Sequence, residues 1–180
     1  MSHNAPSRPP CIVVAGVSGT GKTTVALLLA ERLGVPFAEA DDLHTPASIA
    51  KMSAGVPLDD SDRSPWLESI GSWLHEREAA GTGGVIACSA LKRKYRDALR
   101  VDCPSVYFLH LTADPGLLAR RLSRRTRHFM PESLLDSQLA ALEPVAPDEP
   151  GATLDAAPPP GDIADTALGL LPGQAGEHRG

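Results

Sequence analysis

Apolar positions along this chain fall into two recurring patterns. Short β-branched runs of strand length appear as CIVVAG from Cys11, VPFAEA from Val35, GGVIACSA from Gly83, SVYFLHL from Ser105 and a weaker GATLDA from Gly151. Longer stretches with helical spacing lie between them. TTVALLLAERL runs up to Gly34, a glycine placed to cap a helix C-terminus. Ser64 and Pro65 read as an N-cap and first helical residue ahead of Trp66, Leu67, Ile70, Trp73 and Leu74 on one face. LKRKYRDALR sets Leu91, Tyr95 and Ala98 or Leu99 on one face with cations on the others, Asp114 and Pro115 open a further helix, and DIADTALGLL forms the last. The segment Thr45 to Ser61 sustains no period and reads as short helix and loop. Strands alternating with helices predict a three-layer α/β/α fold around a parallel sheet of about five strands, with ligands beyond the carboxyl ends of the strands.

Composition narrows the class. A chain of 180 residues is the length of one domain, and residues 1–180 are expected to form one. No run approaches the roughly 18 apolar residues of a membrane span, and MSHNAPSRPP lacks the apolar core of a signal peptide. A net charge of −5 and a pI near 5.6 argue against an extended nucleic-acid or anionic-membrane surface. Cys11, Cys88 and Cys103 have no metal-ligand spacing and suit buried thiols in a reducing cytoplasm. Residues 173–180 are expected to be a disordered tail.

The first strand ends in GVSGTGKTT, Gly16 to Thr24, which fits G-x-x-x-x-G-K-[ST] between a strand and a helix. Gly16, Gly19 and Gly21 allow the backbone to approach phosphate, with Ser18, Thr20 and Thr24 in the same nucleotide-binding stretch. Lys22 is placed to reach the β/γ-phosphates of ATP and the Thr23 hydroxyl to hold Mg²⁺. A guanine-specifying N-K-x-D needs an asparagine, and the only one is Asn4. A small-molecule or nucleotide kinase remains.

The second strand delivers EADDLH, three carboxylates and an imidazole, to the mouth of this loop. Asp41 is the candidate base for an acceptor hydroxyl, with Glu39 and Asp41 as candidate holders of Mg²⁺ through water. Strand alternation would set Glu39 and Asp41 on one side. Arg63, Lys92 and Arg96 offer a cationic pocket for an acceptor carboxylate, Lys92 and Arg96 by their spacing of four, whereas Arg93 and Lys94 read as solvated. Five of the eight residues from Arg120 to Arg127 are arginine. This stretch reads as a mobile Arg-rich lid, about 120–135, from which Arg121 and Arg125 close over ATP.

GVSGTGKTT, EADDLH, KMSAGVPLDDSDRSPWL, ACSALKRKYRDALR and HFMPESLLDSQLAALE together resemble the gluconate kinase family of P-loop kinases, in order and spacing from about Cys11 to Pro144. The resemblance implies ATP-dependent phosphorylation of D-gluconate to 6-phosphogluconate, a fold close to shikimate and nucleoside-monophosphate kinases, and a homodimer. Lys22, Asp41 and Arg125 are the candidate catalytic residues, and in the resembling family the arginines aligned with Arg121 and Arg125 belong to the nucleotide-side lid. The acceptor-binding set carried by these motifs is Asp41, His44, Arg63, Ser89, Lys92 and Arg96. Glu39 stands where many members have Asp, Thr45 where a proline often follows the histidine, and Arg127 where a glycine is common.

Overall fold

A computed structural model describes residues 8–124 and 132–172. Its strands are β1 (Cys11–Ala15), β2 (Phe37–Glu39), β3 (Gly84–Ala87), β4 (Tyr107–Thr112) and β5 (Gly151–Asp155), in the spatial order β2-β3-β1-β4-β5. Every pairing is parallel. The helices are α1 (Lys22–Leu33), α2 (Pro46–Ser53), α3 (Asp60–Ala80), α4 (Arg93–Asp102), α5 (Pro115–Ser123), α6 (Glu132–Ala141) and α7 (Pro160–Leu170). This is the expected five-stranded α/β/α arrangement.

Alternation along the buried strands builds a core on each face of the sheet. On β1, Ile12 and Val14 join Val25, Leu29, Ile163 and Ala167 beneath α1 and α7. Cys11, Val13 and Ala15 point the other way, to Trp66, Ile70 and Leu74 of α3 and Leu99 of α4. A third, smaller cluster of Val17, Leu91, Leu118 and Leu135, flanked by Leu122, Leu139 and Leu142, mounts α6 against the loop after β1. β1 lies between β3 and β4, with the chain first going out to β2 beyond β3 and later crossing β1 to β4 and β5, so the loop after β1 lies at the point where the strand order reverses, the usual ligand crevice of such sheets.

Two boundaries differ from the sequence expectation. α3 begins at Asp60 behind the N-cap Asp59, not at Pro65 behind Ser64: the Asp59 carboxylate accepts from Asp62 N–H at 2.8 Å and the Asp62 carboxylate accepts from Asp59 N–H at 3.0 Å. This reciprocal cap starts the helix one turn early and leaves Pro65 inside it. β2 stops at Glu39, and Ala40–Leu43 forms a 3-10 turn, so strand alternation does not relate Glu39 to Asp41. The weakest predicted strand, β5, pairs with β4 from Phe108↔Gly151 to Thr112↔Asp155. The tail 173–180 and the lid centre 125–131 lie outside the described residues.

Candidate active site

The phosphate loop is shaped by glycine and tied from behind. Gly16 has φ 144°, and a Cβ there would stand 2.6 Å from the Leu111 carbonyl oxygen, so only glycine fits. Gly21 caps α1 with φ 84°, and α1 then points its N-terminal N–H groups and positive dipole end into the mouth. Thr20 Oγ1 donates to Val17 O at 2.8 Å, and Lys22 Nζ to the same carbonyl at 3.3 Å. Ser18 N–H donates to Gln138 Oε1 at 2.8 Å. Thr23 and Thr24 are exposed on the first turn of α1.

Thr23 Oγ1 donates to Glu39 Oε2 at 2.5 Å, which ties the phosphate loop to the end of β2. Burial pushes the Glu39 carboxyl up, and the Thr23 hydrogen bond opposes that rise. A partly buried carboxylate against a threonine hydroxyl is an oxygen donor set that a hard divalent cation would relieve of its desolvation. On the following turn the Asp41 side chain is 76% exposed, and His44 Nε2 lies 3.9 Å from its Oδ1. His44 stacks on Trp66 with ring centroids 4.5 Å apart, and its buried Nδ1 has no hydrogen-bond partner among the described residues. Burial pushes the His44 imidazole down, towards the neutral form. Trp66 Nε1 donates to Ala40 O at 2.7 Å, so α3 fixes the turn that carries Asp41.

Arg63 and Lys92 meet at Tyr95. The Arg63 guanidinium carbon and Lys92 Nζ lie 5.5 and 5.8 Å from the ring centroid, within cation–π range. Arg63 Nη1 donates to Leu58 O at 2.6 Å and to Tyr95 Oη at 3.3 Å. The Tyr95 hydroxyl donates to Asp60 Oδ1 at 2.6 Å. Its own proton is held to about 12 by burial and by that bond, and Asp60 is pulled to about 2 by Lys94 and Tyr95. Ser89 O accepts from Gly16 N–H at 3.3 Å, which joins the end of β3 to the phosphate loop.

Arg96 does not belong with them. Its side chain is fully buried in a pair with Glu149, Nε to Oε1 at 2.7 Å and Nη2 to Oε2 at 3.1 Å, and its remaining donors go to the carbonyls of Ala90, Leu91 and Pro144. The same-face expectation fails because Lys92 is the N-cap of α4, with φ −102° and ψ 143°, and not a helical residue. Arg96 is thereby corrected from acceptor ligand to a brace of the Ser89–Leu91 turn, where Ala90 holds a left-handed φ of 39°. Arg93 pairs with Asp148 and Lys94 with Asp60 on the surface.

On the nucleotide side, Arg121 Nη1 donates to Gly19 O at 3.2 Å and Nη2 to Ala156 O at 2.7 Å. It sits against the phosphate loop, whereas Arg125 falls outside the described residues. Sequence reasoning did not single out Gln138, Asp60 or Glu149. Tyr95 was read only as part of an apolar face. Each gains its meaning from a partner distant along the chain.

Residues 12–133 match the AAA domain family. The chain is 57% identical over 143 residues to the gluconokinase of Gluconobacter oxydans (strain 621H), covering 79% of this chain and 80% of that protein. The crystal structure of a gluconokinase from Sinorhizobium meliloti 1021 superposes with a TM-score of 0.83 at 46% identity, covering 91% of each chain. Shikimate kinase from Aquifex aeolicus shares the fold, with a TM-score of 0.57 at 16% identity over 91% of this chain and 97% of that one.

Proposed function

Because the chain belongs to the gluconokinase family of P-loop kinases, we propose that the mouth between its phosphate loop and the Asp41–His44 turn transfers the γ-phosphoryl group of ATP to the 6-hydroxyl of D-gluconate. The single observation that carries this reading is the Thr23–Glu39 hydrogen bond, which holds the nucleotide-binding helix and the acceptor turn together. Lys22 neutralises the β/γ-phosphates. Asp41 accepts the proton of the hydroxyl as its oxygen bonds to the γ-phosphorus and the bond to the bridging oxygen of ADP breaks. His44, neutral and stacked on Trp66, packs the acceptor side, and Arg125 of the lid adds positive charge over the transferring group.

Thr23 and Glu39 fit Mg²⁺, which is ordinarily held by one or two carboxylates together with substrate phosphates. When bound, it offsets charge on the β- and γ-phosphate oxygens. The carboxylate of gluconate pairs with Arg63 and Lys92, whose positions around Tyr95 leave the acceptor end of the mouth cationic. The buried free thiols of Cys11, Cys88 and Cys103 support a reducing, cytoplasmic setting, and the family resemblance supports a homodimer.

Coupled ADP release with gluconate, glucose and shikimate tests the acceptor. Losing one charge-assisted pair costs about 1.5–3 kcal/mol, so gluconate should exceed glucose by at least about tenfold in kcat/KM. Equal rates for gluconate and glucose would remove the carboxylate pocket.

A further inference from the structure

The bond from Ser18 N–H to Gln138 Oε1 spans 120 residues and joins α6 to the phosphate loop. The two ends of that loop face different ligands. Gly16 N–H bonds Ser89 O on the acceptor side, Val17 packs with both Leu91 and Leu118 of α5, and the Gly19 carbonyl is held by Arg121 on the nucleotide side. Ser18 lies between these two ends of the loop. The phosphate nearest the acceptor is the one transferred.

Gln138 is not needed to hold α6 in place, because Leu135, Leu139 and Leu142 of the same segment already pack with Val17, Leu91, Leu118 and Leu122. Its carboxamide is therefore presented to the loop on a mounted helix. That group carries one acceptor oxygen and two N–H donors, and half a turn about its last torsion exchanges them. A backbone N–H can bond only to the oxygen, which fixes the orientation seen here. A phosphoryl oxygen that takes the Ser18 N–H would repel the same carbonyl and attract the amide N–H.

Resting on the phosphate-loop reading above, we infer that Gln138 is a γ-phosphate-contacting residue: its carbonyl occupies Ser18 N–H when no γ-phosphate is present, and its amide N–H donates to the γ-phosphoryl oxygens when ATP is bound. ADP leaves the contact with Ser18 undisturbed. The side chain thus distinguishes ATP from ADP and positions the group to be transferred.

The test measures dissociation constants for ADP and for a non-hydrolysable ATP analogue on the full chain and on Gln138→Ala, Gln138→Glu and Gln138→Asn, with melting temperature and steady-state kinetics. A hydrogen bond to a charged group is worth roughly tenfold or more. Gln138→Ala should weaken the analogue by about that factor, leave ADP within about twofold, and lower kcat with little change in the KM for gluconate. Gln138→Glu should lose more, since its carboxylate faces phosphate. Gln138→Asn keeps the chemistry but is one methylene short, and decides the matter should the alanine variant fold poorly. Parallel weakening of both nucleotides, or unchanged discrimination in every variant, would reduce Gln138 to a structural peg. A wild-type chain that binds neither nucleotide would remove the phosphate-loop reading, and this inference with it.

Discussion

Asp41 and Arg96 were both named from the sequence as acceptor-side residues, and their surroundings separate them. Asp41 is exposed at the mouth beside His44, on a turn that Trp66 holds through the Ala40 carbonyl. Its carboxylate is 76% exposed and so lies outside the core. Asp41→Asn keeps the shape and removes the basic lone pair, so it should lower kcat by about 10²–10⁴-fold, the usual worth of a general base. A loose phosphoryl-transfer transition state favours the lower part of that range. Melting temperature and ATP affinity should stay at their wild-type values. Near-normal kcat with reduced stability would recast Asp41 as a buttress of the turn. The residue type and its place after the second strand were legible in the chain. Its 3-10 geometry was not, because Ala40–Leu43 leaves the strand under a tertiary constraint, the indole bond from α3.

At the scale of elements, the Arg96–Glu149 pair joins the start of α4 to the segment between α6 and β5, and both side chains are fully buried. Removing one partner strands the other charge and several carbonyls in a low-dielectric interior, which typically costs about 3–5 kcal/mol. Arg96→Ala should therefore lower the urea midpoint and melting temperature sharply. The Ala90 turn would also lose the bond that holds its left-handed backbone. Arg63→Ala should do the reverse, raising the KM for gluconate at nearly unchanged stability. Measured side by side, the two variants sort brace from ligand. Normal stability with a large rise in KM for Arg96→Ala would restore it to the acceptor pocket. Helix and strand identities followed from period and length, but the start of α3 did not. The cap of Asp59 and Asp62 outcompeted the Ser-Pro signal because two reciprocal bonds satisfy the first-turn donors one turn earlier.

Across the whole molecule, the buried His110 couples folding to pH. It sits on β4 with Nδ1 unpartnered among the described residues, and burial, aided by Arg96 and Lys22, pushes it from 6.5 down to about 4. In the unfolded chain the imidazole takes a proton near its ordinary value, while the folded protein refuses it. Between those values the unfolded state binds more protons, so this contribution is fully present above 6.5 and is lost as pH falls towards about 4. Its limit is about 3 kcal/mol. His44 is shifted in the same direction and adds to the acid limb. Urea unfolding at pH 7, 5.5 and 4.5 should show wild type losing stability faster than His110→Gln, and parallel curves would mean that His110 is protonated in the fold. This coupling depends on neighbours that no local pattern reveals. Legible along the chain is whatever repeats or contacts within a few residues: the β1–loop–α1 order, the glycines of the phosphate loop, two-sided burial of the strands and the five-stranded parallel class. Hydrophobic period and turn chemistry act over such short spans, so they can be read in a line. Which long polar side chains meet is settled by folding alone. Arg96 finds Glu149 53 residues away, and Gln138 finds Ser18 120 residues away. The reach and direction of a flexible side chain are set by the cap, the packing and the distant backbone around it, and spacing alone carries none of these.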